Sequence, residues 1–196
     1  MAIEYELKFQ ATEAVLQQLF AEYGENPCQH YQMETTYYDT PSGALSARHY
    51  TLRRRMENEE SVCTLKTPAA GNGRNEQEIS CDSIEKAISI FCQTGAPEDF
   101  GQLVQEGLIA VCGAKFHRTA ITLQLEDCVL ELALDQGVLT GGGKEIPLCE
   151  VEVELKEGES FSADMFARIL SSEFGLTVQR HSKFRRALAL YKGEIL

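Results

Sequence analysis

The chain has 196 residues, 43% of them hydrophobic, and its 30 acidic and 18 basic side chains give a formal charge of −12. That apolar content argues against disorder, and the length suits one domain, spanning residues 1–196, or two small ones. The acidic balance argues against general nucleic-acid binding, which needs a basic surface to displace counterions, but local charge can still receive a small anion.

Strict alternation opens the chain. Ile3, Tyr5, Leu7 and Phe9 face one way and Glu4, Glu6 and Lys8 the other, which predicts a strand with one apolar face. Thr12 reads as a helix N-cap, with Val15, Leu16, Leu19, Phe20 and Tyr23 on one face and Gly24 as the stop. Strands are predicted over Met33–Asp39, Tyr50–Met56, Ser61–Thr67 and Glu76–Ser80, with a turn at Asn58-Glu59-Glu60 and a loop over Ala69–Asn75. Ser83 begins a helix that Gly95-Ala96-Pro97 ends, and Asp99–Ala114 reads as a weak helix and a connection. Lys115–Gln124 and Cys128–Asp135 form a predicted hairpin, Gly141–Gly143 a flexible tip, and Cys149–Lys156 a further alternating strand. Helices over Ser162–Phe174 and Ser182–Tyr191 close the chain. The total is about eight strands, mostly antiparallel because short turns join them, and four or five helices.

No apolar run is long enough to span a membrane, and Met1-Ala2-Ile3-Glu4 lacks the basic start and apolar stretch of a secretory signal. The seven cysteines include no C-x-x-C and read as small buried hydrophobes in a reducing cytoplasm. His30, His49, His117 and His181 are dispersed and read as surface or packing residues. No P-loop pattern exists.

The charged strand faces carry the chemistry. Glu4-x-Glu6 near the start and Glu150-x-Glu152-x-Glu154 near the end supply rows of carboxylates. Arg53, Arg55, Lys66 and Arg118 supply cations from the middle strands. If the sheet closes, both sets line one cavity. Grouped carboxylates recruit hard divalent cations, and grouped Arg and Lys bind phosphate oxygens, so the cavity suits a metal-chelated polyphosphate.

Glu4-Tyr5-Glu6-Leu7-Lys8 resembles the E-x-E-x-K signature of the CYTH superfamily, the triphosphate tunnel metalloenzymes. Further segments agree with that family in order: Tyr37-Tyr38-Asp39-Thr40-Pro41, Leu52-Arg53-Arg54-Arg55, Thr64-Leu65-Lys66, Arg74-Asn75-Glu76-Gln77-Glu78, Leu134-Asp135-Gln136-Gly137, Glu150–Leu155 and Ser182-Lys183-Phe184. The resemblance covers essentially the whole chain and is nearest to bacterial inorganic triphosphatases. It implies an α+β fold: an eight-stranded antiparallel closed β-barrel, its tunnel binding triphosphate, with helices packed outside.

It also implies roles. Glu4, Glu6, Glu152 and Glu154 would hold Mg²⁺ or Mn²⁺, with Glu76 or Asp135 completing the set or orienting water. Lys8, Arg53, Arg55, Lys66, Arg118 and Lys183 would clamp phosphate oxygens. Lys8, Glu4, Glu6 and Asp135 form the expected catalytic group. The expected reaction is hydrolysis of inorganic triphosphate to pyrophosphate and phosphate, by a monomer or homodimer whose partner is the small-molecule substrate, with no nucleic acid and no membrane. Class IV adenylate cyclase or thiamine and nucleoside triphosphatase activity on the same scaffold are the rivals, followed by a non-catalytic polyphosphate binder.

Overall fold

A computed structural model describes residues 5–69 and 74–195; Glu4, Gly71 and Gly73 lie outside them. Among the described residues nine strands form one antiparallel sheet: β1 (Tyr5–Gln10), β2 (Cys28–Asp39), β3 (Thr51–Glu57), β4 (Glu60–Pro68), β5 (Arg74–Ser80), β6 (Ile109–Gln124), β7 (Cys128–Gly141), β8 (Lys144–Gly158) and β9 (Thr177–Val178). The helices are α1 (Glu13–Tyr23), α2 (Ala44–Ala47), α3 (Ile84–Thr94), α4 (Phe100–Leu103), α5 (Ser160–Glu173) and α6 (Lys183–Lys192), with a 3₁₀ turn at Val104–Glu106. None of the described helices is long and apolar enough to cross a membrane.

The strand order is β5-β4-β3-β2-β6-β7-β8-β1-β9. The expected eight-stranded closed barrel is therefore corrected. The sheet has nine strands, and no ladder joins β5 to β9 among the described residues. β9 offers only two residues to a partner. β1 and β5 both carry Glu on their inner faces, Glu6 on one and Glu76 and Glu78 on the other, and like charges placed opposite disfavour pairing.

Two other sequence expectations also change. Residues from Ile109 onward, read as part of a connection, extend β6 backwards and pair with β2 from Asp39 to Cys28. The glycine tip is a tight hairpin turn. Gly142 and Gly143 both have positive φ (58° and 73°), which lets β7 and β8 run directly into one another.

The alternating patterns decide which side each helix covers. Phe9, Leu130, Leu132, Leu134, Val151 and Val153 point to the convex face and are sealed by Leu16 and Leu19 of α1 and Ala163, Ala167 and Leu170 of α5. Burying each of the fully covered leucines contributes about 1.5–3 kcal/mol. Leu52, Cys63 and Leu65 do the same for β3 and β4 beneath Ile84, Ala87 and Phe91 of α3. α6 differs, because its Ala187 packs with Phe116, Leu139 and Leu148, which share strand faces with Arg118, Asp135 and Glu150. It therefore lies on the charged, concave side.

All seven cysteines are free thiols, but only Cys63, Cys112 and Cys128 are buried, so the expectation of small buried hydrophobes holds for three of them. Burial pushes the Cys63 thiol up to about 11 and the Cys112 thiol up to about 12, while Cys92 is exposed. A thiol-reactive reagent at about pH 8 is expected to modify Cys92 first and to reach Cys63 and Cys112 only after unfolding, as peptide mapping would show. Rapid native labelling of Cys112 would contradict this packing.

Candidate functional site

Strand register builds the acidic wall of the site. β1 and β8 pair so that Glu6 stands opposite Glu154 and Lys8 opposite Glu152. β7 continues the same rows, with Glu131 beside Glu154 and Asp135 beside Glu150. Arg118 of β6 stands opposite Asp135. The rows from the two ends of the sequence thus meet on one face, as the alternation requires.

That face encloses a cavity of about 340 Å³. Nine of the twelve predicted site residues line it: Glu6, Lys8, Arg53, Arg55, Lys66, Arg118, Glu152, Glu154 and Lys183. The other three do not. Glu4 is outside the described residues. Asp135 is fully buried behind Arg118, and Glu76 stands behind Lys66, 2.9 Å from its ammonium. The histidines line none of it, and Tyr37 lines it while Tyr38 does not.

The carboxylates and cations divide the cavity into two unlike regions. In the first, compensation is complete. Lys183 donates to Glu150 and to Glu152 at 2.5 Å, and lies 2.8 Å from Asp135. Arg118 grips Asp135 with two parallel bonds of 2.8 Å and reaches Glu152 as well. Arg186 donates to Glu150. Three cations serve three carboxylates. Burial opposes the charge on Glu152, but Lys183 and Arg118 outweigh it and hold the carboxyl well below the usual range. Burial, with Glu152 adding, raises Glu150 despite Lys183 and Arg186. Burial works against the Lys183 ammonium, and Asp135, Glu152 and Glu150 more than offset it, so its pKa rises.

The second region is short of counter-charge. Arg55 is 9% exposed, and its Nε donates to the Thr35 hydroxyl at 3.0 Å. Its nearest carboxylate among the described residues, Glu57, is 3.6 Å away. Burial and the like charges of Arg53 and Arg118 lower its pKa. Arg53 donates to Thr64 at 3.1 Å and meets Glu76 and Glu78 only at 3.7 and 3.8 Å. Arg74 lines the same side and reaches the Thr51 hydroxyl. A guanidinium so placed has donors available to an anion entering from the cavity.

Lys8 bridges the regions. It donates to Glu6; burial works against its charge, but Glu6 and, less strongly, Glu152 raise its pKa overall. A hard divalent cation fits this chain by donor type. Glu6, Glu131 and Glu154 form a row of carboxylates across three adjacent strands, with Lys156 set 3.5 Å from Glu131 and 2.8 Å from Glu154. Asp135, Glu150 and Glu152 also converge, with oxygens within 4.8 Å of one another, but they already hold three cations.

The sequence reading gave no role to three residues that the structure brings to the site. Arg186 binds buried Glu150; its spacing three residues after Lys183 on one helix was the available signal. Glu150 is fully buried, and Glu131 joins the Glu6 row.

Comparison with known proteins agrees with this architecture. The CYTH domain model matches residues 2–188, and the chain belongs to the CYTH family. It is 30% identical over 167 residues to an inorganic triphosphatase of Haemophilus influenzae, a match covering 82% of this chain and 46% of that protein. The chain thus spans about half the length of the curated relative it matches. Among solved structures, HpAC1 of Hippeastrum, described as an adenylyl cyclase candidate with a dominant triphosphatase activity, aligns with a TM-score of 0.62 at 18% identity over 99% of this chain and 98% of its own. The PH1819 protein of Pyrococcus horikoshii aligns with a TM-score of 0.59 at 19% identity, over 96% and 99% of the two chains. At these identities the structures establish a shared fold.

Proposed function

We propose that the cavity binds inorganic triphosphate and hydrolyses it, with Mg²⁺ or Mn²⁺, to pyrophosphate and phosphate. One observation carries the reading: Arg55 is buried beside Arg53 and Arg118 with no carboxylate closer than 3.6 Å among the described residues, facing a cavity whose opposite wall is Glu6 and Glu154. A buried guanidinium among like charges is stabilised by an anion that enters the cavity. The acidic wall opposite would repel that anion unless a cation came with it. A metal polyphosphate satisfies both walls.

Arg53, Arg55, Arg74 and Lys66 take the phosphate oxygens. Glu6 and Glu154, with Glu131 and Glu152 adjoining, would hold the metal, which when bound supplies charge neutralisation and a more acidic water. Lys8 sits where the two walls meet and can hold a proton against the leaving oxygen. Lys183, Asp135 and Glu150 fix Glu152 and Arg118 in place, so their part is to position. Water adds to the terminal phosphorus as the bond to the bridging oxygen breaks. Preorganised charge provides most of the rate, because the transition state spreads charge over several oxygens. The homology to an inorganic triphosphatase supports the reaction class.

Phosphate release should be assayed with inorganic triphosphate, pyrophosphate, ATP, GTP and thiamine triphosphate, each with Mg²⁺ and Mn²⁺. Fastest release from inorganic triphosphate is the expected outcome. Cyclic AMP formed from ATP would make the chain a cyclase, and binding without release would make it a polyphosphate binder. Arg53→Ala should raise KM for triphosphate about 10- to 100-fold, the worth of a hydrogen bond from a charged donor, with a smaller effect on kcat. Unchanged KM and kcat would remove Arg53 from the phosphate clamp.

A further inference from the structure

Phe116 lies on β6 two residues before Arg118 and shares its face. Its side chain is almost fully buried, yet three cations surround the ring. Lys183 Nζ is 5.4 Å from the ring centroid, the Arg118 guanidinium carbon 5.8 Å and the Arg55 guanidinium carbon 6.0 Å. They come from three separate elements: α6, β6 and β3. The ring's seat is fixed from behind, because β7 passes so close that a Cβ on Gly137 would lie 2.5 Å from the Phe116 Cα.

Three like charges gathered in a buried space repel one another and need negative potential nearby. Carboxylates supply it for Lys183, and in doing so they take up its N–H groups. An aromatic face supplies it differently. Its quadrupole attracts a cation without neutralising it and without binding its hydrogen-bond donors strongly. Arg55 gains most, since Thr35 is its hydrogen-bond partner and Arg53 and Arg118 are its charged neighbours. Arg118 keeps Nη1 outside its bonds to Asp135 and Glu152.

We propose that Phe116 is a positioning residue for triphosphate binding: its ring holds Arg55, Arg118 and Lys183 together at the cavity wall while leaving guanidinium N–H groups of Arg55 and Arg118 for phosphate oxygens. This rests on the triphosphate reading above. Packing alone, with Met33, Ala114, Leu139 and Leu148 as neighbours, would make the ring's volume matter and its electron density irrelevant.

The two are separated by placing phenylalanines with one, two and three ring fluorines at position 116 of the full chain. Fluorination drains the negative face and nearly preserves shape. The Kd of inorganic tripolyphosphate, by calorimetry, is expected to rise with each fluorine, to about tenfold at three, as loss of a desolvated cation–π contact implies. Phe116→Leu should weaken binding at least as much. A Kd that stays flat across the fluorine series overturns the inference, whatever Phe116→Leu does to folding or binding, and leaves the reaction assignment standing. A wild-type chain that binds tripolyphosphate with the fluorine trend but releases no phosphate overturns the hydrolase reading and leaves Phe116 in its role. A wild-type chain that binds no tripolyphosphate overturns both.

Discussion

Glu6→Gln is expected to lower metal-dependent phosphate release from inorganic triphosphate at least about a hundredfold, the scale of losing a carboxylate that holds or orients a catalytic metal. The substitution keeps the shape and removes the charge from the row that Glu6 forms with Glu154 and Glu131. The metal concentration giving half the maximal rate should rise as well. Folding should be nearly unaffected, because Lys8 remains opposite Glu152 and the Glu6 side chain is partly open to water. Phosphate release assayed over a metal titration, beside a thermal melt, tests this. Wild-type rates from a folded variant would remove Glu6 from the metal site.

Lys183→Met should act in the opposite way, on stability more than on chemistry. The ammonium is almost fully buried among Asp135, Glu150 and Glu152. Removing it leaves three carboxylates to two arginines, and breaking a buried pair from one side costs about 3–5 kcal/mol. For a chain of this size that is a fall of about ten degrees in Tm.

The pH dependence has a definite sign. In the native protein Glu152 is held well below its ordinary range, so its contribution to stability is present above the unfolded pKa and lost as pH falls through the folded one. Without Lys183 only Arg118 and Arg186 oppose the acids, and burial with mutual repulsion raises the Glu150 and Glu152 carboxyls relative to the native protein. The penalty should therefore be largest near pH 7 and shrink toward about pH 5, where the folded variant can take up a proton. Urea unfolding at those two pH values measures it. An equal loss at both, or a loss under about 1 kcal/mol, would mean that the ammonium is not what balances the three acids.

Much of this site was legible because a strand repeats every two residues. Glu6 and Lys8, or Glu152 and Glu154, share a face by counting alone, and the register then fixes their partners. What counting by two cannot give is depth. Asp135 and Glu150 read like their exposed-looking neighbours, yet both are fully buried, because α6 covers that end of the concave face. Arg186, given no role from the sequence, reaches Glu150 from that same helix. The two-residue β9 carries too short a pattern to be seen, and closure of the sheet depends on contacts between strands far apart in sequence. The segment before Lys115 lacked a clean alternation, so its pairing with Tyr38 and Asp39 emerged only in three dimensions.

The pairing of β1 with β8 also governs when the molecule can come into being. The opening strand has no long partner until residues 150–155 exist to receive it. On a ribosome, Glu6 and Lys8 wait until Glu154 and Glu152 are made before they meet their neighbours. Contacts this distant along the chain slow folding, since a large loop must be closed before any reward is collected. Nascent fragments that stop short of β8 should therefore be inert.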